Sequence, residues 1–180
     1  MSRYVAFLRG MNLGGRRIKN EELRGHFEGM GFEEVATFRA SGNVVFSYGG
    51  RERESKLARR VEAGLDERLG YDVPAFLRSI EEVGAIAAQV PFDRKRVAKS
   101  EGKLQVSLLM EKPGAASKKK VLALATDEDL LAIEGRELYW LPRGSLLESE
   151  LDLKAIEGLL GSDTRRTMGT IEQIAAKYCG

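Results

Sequence analysis

The sequence predicts an α+β protein built as two tandem ferredoxin-like (split β-α-β) halves, each β-α-β-β-α-β followed by a C-terminal helix. Three observations carry this. Apolar strand-like runs alternate with amphipathic helical stripes in one order over residues 1–90 and again over 103–180. A polar stretch containing Pro and Gly, PFDRKRVAKSEG (91–102), separates them and reads as a linker. The segment SIEEVGAIAA near the end of the first half is echoed by TIEQIAA near the end of the second.

RYVAFLR (3–9) is almost continuously apolar, which marks a buried central strand. After a Gly-rich loop, Asn20 is placed to cap a helix with Leu23, Phe27 and Met30 on one side, and Gly31 to end it. EEVATFRA and NVVFSY are strand runs joined by a tight turn at Ser41-Gly42. Leu57, Val61, Leu65 and Leu69 recur every four residues, the stripe of a helix ending at Gly70. DVPAFLR is a fourth strand, and Pro74 near its start suits a sheet edge. Ser79-Ile-Glu-Glu82 is a capping box opening a helix with Ile80, Val83, Ala87 and Val90 in line. The second half supplies a strand at 103–110, a helix at 115–125 and a hairpin of DLLAIE and RELYWLP about Gly135. A helix bearing Leu153, Ile156 and Leu160 follows, then the strand DTRRT. Thr170-Ile-Glu-Gln173 then forms a second capping box before a final helix.

Composition excludes several function classes. A chain of 180 residues, 43% hydrophobic and 31% charged, is an ordinary globular composition able to bury roughly 70% of its unfolded surface. No apolar run reaches membrane-spanning length. The N-terminal apolar stretch is short, is interrupted by Arg9 and lacks a cleavage site, so a cytoplasmic protein is expected. Cys179 and His26 are the sole cysteine and histidine, so an internal disulfide and a cysteine-rich zinc site are excluded, and a Ser-His-Asp triad or an imidazole-containing metal site would have to use His26; no metal and no cofactor is expected. Cys179 reads as an exposed thiol and His26 as a partly buried packing residue. A net charge of +2 does not by itself point to nucleic acid.

LRGMNLGG (8–15) with SGNVVF (41–46) downstream resembles the domain of unknown function family 1697, whose members typically show L-R-G-[IV]-N-[VL]-G-G and then S-G-N-V-[VI]-F. The likeness continues at Val73-Pro74, Pro91-Phe92 and LP.G (141–144), and so covers essentially the whole chain. It implies an α+β fold with duplicated halves and implies no activity. Two segments depart from the family pattern. Arg166-Thr167-Met168-Gly169-Thr170 stands where many members carry Arg-Asn-Trp-Asn-Thr, and Ser149-Glu150-Leu151 where many carry Ser-Lys-Leu.

In a split β-α-β unit the loop after the first strand and the hairpin between the second and third share one end of the sheet. That brings 9–17 beside 40–43 and defines a candidate site of Arg9, Asn12, Gly14, Gly15, Arg16, Arg17, Ser41 and Asn43, with Gly10 and Lys19 adjoining. Glycines allow left-handed backbone and close approach, loops ahead of helices turn N–H groups outward, and arginines attract anions. A small phosphate-bearing or carboxylate ligand is the expected partner. Against it, Glu21 and Glu22 offset the helix's positive end, and the asparagines have backbone groups to serve. The spacing is neither a Walker loop nor a dinucleotide fingerprint, and no carboxylate pair or nucleophile accompanies it.

Two alternatives remain open. RNA or single-stranded DNA could bind the sheet as in RNA-recognition motifs. RASGNVVF (39–46) fits that pattern at Arg39, Gly42, Val44 and Phe46, but Ser41 and Asn43 occupy the stacking positions. Of Tyr139 and Trp140, which alternate along one strand, one reads as core; the other could face solvent and stack a base, but core packing is the favoured reading. The basic runs DRKRVAK and SKKK read mainly as solvated charge. The third reading is a protein–protein interaction module.

Overall fold

Both faces of the first strand, β1 (Ser2–Leu8), are buried, which is why its sequence is apolar without alternation. A computed structural model describes residues 1–12, 14, 15, 17–39 and 42–180. In chain order β1 is followed by α1 (Asn20–Gly29), β2 (Glu33–Thr37), β3 (Asn43–Tyr48), α2 (Glu54–Leu69), β4 (Ala75–Ser79) and α3 (Ile80–Ala87). Then come α4 (Arg94–Lys99), β5 (Gln105–Leu109), α5 (Ala115–Leu122), β6 (Asp129–Glu134), β7 (Glu137–Pro142), α6 (Leu153–Leu160), β8 (Asp163–Thr167) and α7 (Met168–Tyr178). The fold is mixed α+β with two four-stranded antiparallel sheets, ordered β2-β3-β1-β4 and β6-β7-β5-β8. The chain forms two compact units, Met1–Val83 with Tyr178–Gly180, and Gly84–Lys177.

In the first unit Ala6, Leu8, Val44, Phe46, Ala75 and Leu77 share one sheet face and meet Leu23 and Phe27 of α1 and Leu57, Val61 and Leu65 of α2. Phe46 lies within ring-packing distance of Tyr4, Phe27 and Phe32, at centroid separations of 5.8, 5.6 and 4.5 Å. The alternate residues Val5, Phe7, Val45 and Phe76 are buried as well. Strand β4 is an edge, as Pro74 suggests. Strand β2 is the other edge, and it carries one extra residue against β3 between Glu33 and Ala36, with Glu34 at φ +49°. On α2, Glu62 accepts the Ala75 N–H at 3.1 Å. Partial burial raises its carboxyl above the ordinary range, the Ala75 bond opposes this, and nearby Asp72 adds to it. In the second unit Val121 of α5, Ile133, Leu138 and Ile156 of α6 form the corresponding cluster.

Strands β4 and β8 run directly into α3 and α7. Ser79 and Glu82 form the reciprocal box, with Ser79 N–H to Glu82 at 2.9 Å and Glu82 N–H to Ser79 Oγ at 3.1 Å. At α7 the expectation fails. Thr170 lies inside the helix, and the cap is Thr167, whose Oγ1 accepts the Thr170 N–H at 3.2 Å. Just before these caps, Arg78 and Arg166 lie opposite Val5 and Val106. Each donates Nη1 to the preceding carbonyl, at 2.8 and 2.9 Å. Burial lowers the Arg166 guanidinium to about 10, so it stays cationic at neutral pH.

Other expectations need correction. Asn20 is the first residue of α1 rather than its cap. Lys19 holds that position without a side-chain acceptor, because the Asn20 amide is drawn to the Arg39 carbonyl at 3.3 Å. The stretch 91–102 contains α4, capped by Asp93 accepting the Lys95 N–H at 3.0 Å. Core packing, the favoured reading for Tyr139 and Trp140, holds for both, and Trp140 Nε1 donates to Asp129 at 2.8 Å, which satisfies its polar edge in the interior. Cys179 is half-buried, with Sγ 3.1 Å from the Ile80 carbonyl it donates to.

Candidate functional site

The loop after β1 and the turn before β3 leave the same end of the first sheet. Phe7 pairs with Asn43, and Leu8 N–H donates to the Gly42 carbonyl at 2.8 Å. Arg9 N–H reaches the Pro74 carbonyl at 3.0 Å, so β4 closes the other side. Met11 then turns inward and is buried, and its carbonyl accepts the Tyr71 hydroxyl at 3.2 Å.

Beyond Met11 the loop doubles back. Asn12 Oδ1 accepts the Ile18 N–H at 3.2 Å. The reversal uses left-handed backbone at Gly10, Gly14 and Gly15, with φ of 70°, 62° and 83°. A Cβ at Gly14 or Gly15 would meet nothing within 4 Å, so backbone conformation, not crowding, calls for glycine there. Gly14, Gly15, Arg17 and Lys19 are exposed and Arg9 is half-buried. The Arg17 and Lys19 side chains have no hydrogen-bond or ion-pair partner among the described residues. Two predicted site residues, Arg16 and Ser41, lie outside the described residues.

Asn43 faces inward. It is fully buried and its Nδ2 donates to the Phe38 carbonyl at 2.9 Å, while Phe38 N–H returns to the Asn43 carbonyl at the same length. Asn43 therefore shapes the turn from beneath. The turn in turn displays Arg39, exposed and held at φ +58°. Such a backbone in a non-glycine residue costs about 1–2 kcal/mol. Its guanidinium carbon lies 5.6 Å from the centroid of the Phe38 ring.

Arg39, matched in the sequence only to the RNA-recognition pattern, joins the candidates for the anion site. The Asn20–Arg39 bond brings its turn against the first residue of α1, alongside Arg17 and Lys19. Glu21 and Glu22 in the first turn of α1 bring opposing charge. The arrangement offers exposed cationic side chains, a chemistry suited to holding an anion. Among the described residues no group of three or more His, Cys, Asp or Glu side chains is placed to hold a metal. Among the described residues no helix is long and apolar enough to cross a membrane.

Comparison with known proteins gives a family and a fold. The profile described as protein of unknown function, DUF1697, matches residues 1–139. Among solved structures, conserved bacterial protein SP0830 from Streptococcus pneumoniae is similar, with a TM-score of 0.74 and 18% identity. The match covers 100% of this chain and 99% of that one, and at this identity it concerns the fold. No curated protein sequence matches.

Proposed function

The chain belongs to the DUF1697 family of proteins of unknown function, and we propose that it binds a small phosphate-bearing or carboxylate ligand where the 9–19 loop meets the Arg39 turn. The observation that carries the reading is the Asn20–Arg39 bond of 3.3 Å. It sets the backbone of a strained, exposed arginine against the uncapped start of α1, which the exposed Arg17 and Lys19 precede in the chain. Helix N-termini and left-handed glycine loops favour anions through fixed N–H dipoles, and guanidinium groups add directional charge. Arg9 and the glycines at 10, 14 and 15 belong to the same surface.

We read each half as a ferredoxin-like unit in a cytoplasmic protein. The shared strand orders support this fold reading, as does the shared passage from edge strand into capped helix. Base stacking on the sheet is disfavoured, because Val5, Phe7 and Val45 on one face and Phe46 on the other are buried.

The test is a thermal-shift screen with inorganic phosphate, nucleotides, sugar phosphates and short RNA at low and moderate salt. Selective binding to the native state raises the melting temperature. Stabilisation by a small phosphate ester, lost in Arg17→Ala and Arg39→Ala, is the expected result. A shift with RNA alone that collapses as salt rises transfers the surface to nucleic acid. No shift with any compound removes the small-ligand reading.

A further inference from the structure

A second cleft, unrelated to the 9–19 loop, opens in the second unit beside α4. Its volume is ≈ 390 Å³, within the range of small-molecule sites. Val90, Val97, Ala98, Leu104 and Met168 supply an apolar lining, and Arg94 and Glu172 are its two charged groups. Leu104 and Met168 are fixed floor residues: both are buried, and Met168 N–H donates to the Leu104 carbonyl at 2.8 Å. Val90, by contrast, is 55% exposed at the rim of the same lining.

The charged pair is exposed to solvent and open to a ligand. Arg94 and Glu172 line one cleft with opposite charge, yet neither has a hydrogen-bond or ion-pair partner among the described residues. Helix α4 is also unusual. It has six residues and none of them is buried. A helix so short is marginal by itself, and the Asp93 cap and one apolar side are what it has. Something that covered Val97 and Ala98 and engaged Arg94 would stabilise it.

We propose that this cleft binds a small zwitterion with an apolar tail, the chemistry of a free apolar α-amino acid. Its carboxylate pairs with the Arg94 guanidinium, its ammonium with Glu172, and its side chain covers the Val97, Ala98, Leu104 and Met168 surface. A simple fatty acid would leave Glu172 facing an anion, and an alkylamine would leave Arg94 facing a cation. Only a ligand with both charges uses both residues.

The test is calorimetric titration of the full chain with L-leucine and L-phenylalanine, beside 3-phenylpropanoate, phenethylamine and N-acetylphenylalanine amide. Binding of an amino acid, weakened about 10-fold by Arg94→Ala and by Glu172→Gln (~1.4 kcal/mol each), is expected. The analogues lacking either charge should bind correspondingly less well. Amide-exchange protection at 94–99 should rise with the ligand, and Ala98→Trp, at an exposed position, should block it. Arg17→Ala should leave this binding unchanged, which separates it from the anion site. No binding by either amino acid overturns the proposal. So does equal binding of 3-phenylpropanoate, which would make the cleft an acid site. Equal binding of the capped amide would assign it to an apolar peptide segment.

Discussion

Replacing Asn43 by alanine should unfold the turn that displays Arg39 before it alters any surface charge. The carboxamide is fully buried and its Nδ2 satisfies the Phe38 carbonyl at 2.9 Å. Removing it forfeits that bond and leaves a half-buried carbonyl without its side-chain donor, a loss of about 1–3 kcal/mol. At about 2 kcal/mol, a chain of this length should lose ~4–8 °C in melting temperature. Urea denaturation followed by circular dichroism should show a lower midpoint at unchanged slope, the signature of an altered native state. Asn43→Asp sharpens the test. Its carboxylate cannot donate to Phe38, so at neutral pH it should be worse than alanine. Burial would raise its folded-state pKa, so the deficit should shrink as the pH falls towards the unfolded carboxyl value of about 3.9. A loss below about 0.5 kcal/mol in Asn43→Ala, or an aspartate variant no worse than alanine at neutral pH, would refute the account of this turn.

Arg39→Gly should relieve the left-handed strain, about 1–2 kcal/mol, against a glycine entropy cost of about 0.5–1 kcal/mol. The melting temperature should hold or rise slightly while affinity for phosphate esters falls, as paired melting and titration would show. Thr167→Ala should destabilise by about 1 kcal/mol and Thr170→Ala by less, the reverse of what the TIEQ motif suggests, in chemical denaturation. Glu62→Gln should change the pH dependence of stability. The folded-state pKa of Glu62 is raised, so its contribution is fully present below the ordinary carboxyl value of 4.5 and is lost as pH rises through the folded value. The variant should gain on the parent protein across that interval, whereas parallel pH profiles would discount the burial of this carboxyl.

The fold was legible where burial repeats. The four-residue spacing of Leu57, Val61 and Leu65 marks α2, all three being fully buried. The unbroken apolar run of β1 marks a strand covered on both faces. What escaped were choices between near-equivalent local partners. The α7 cap slipped by three residues because three residues is almost one helical turn, so Met168, Ile171 and Ile174 keep one apolar face under either register. Asn20 has the chemistry of a cap, and only the fold brings the Arg39 carbonyl within its reach. At the candidate site the sequence located the loops and their glycines. It could not separate Asn43, which turns inward, from Arg39, whose backbone is set by the turn around it. The α4 cleft assembles residues from 87 to 172, a separation that no motif spans.

The extra residue in β2 has a consequence for self-association. A strand at the rim of a sheet is a template on which another chain can crystallise, one amide after another, into a fibre. At Glu34 the spacing of outward N–H and C=O groups is thrown out of step, and an incoming strand in register on one side of the bulge would be mismatched on the other. Two adjacent glutamates there, both exposed, would also stack like charge on like in every added copy. The left-handed backbone at Glu34 is thus part of what makes this rim a poor template for a further strand.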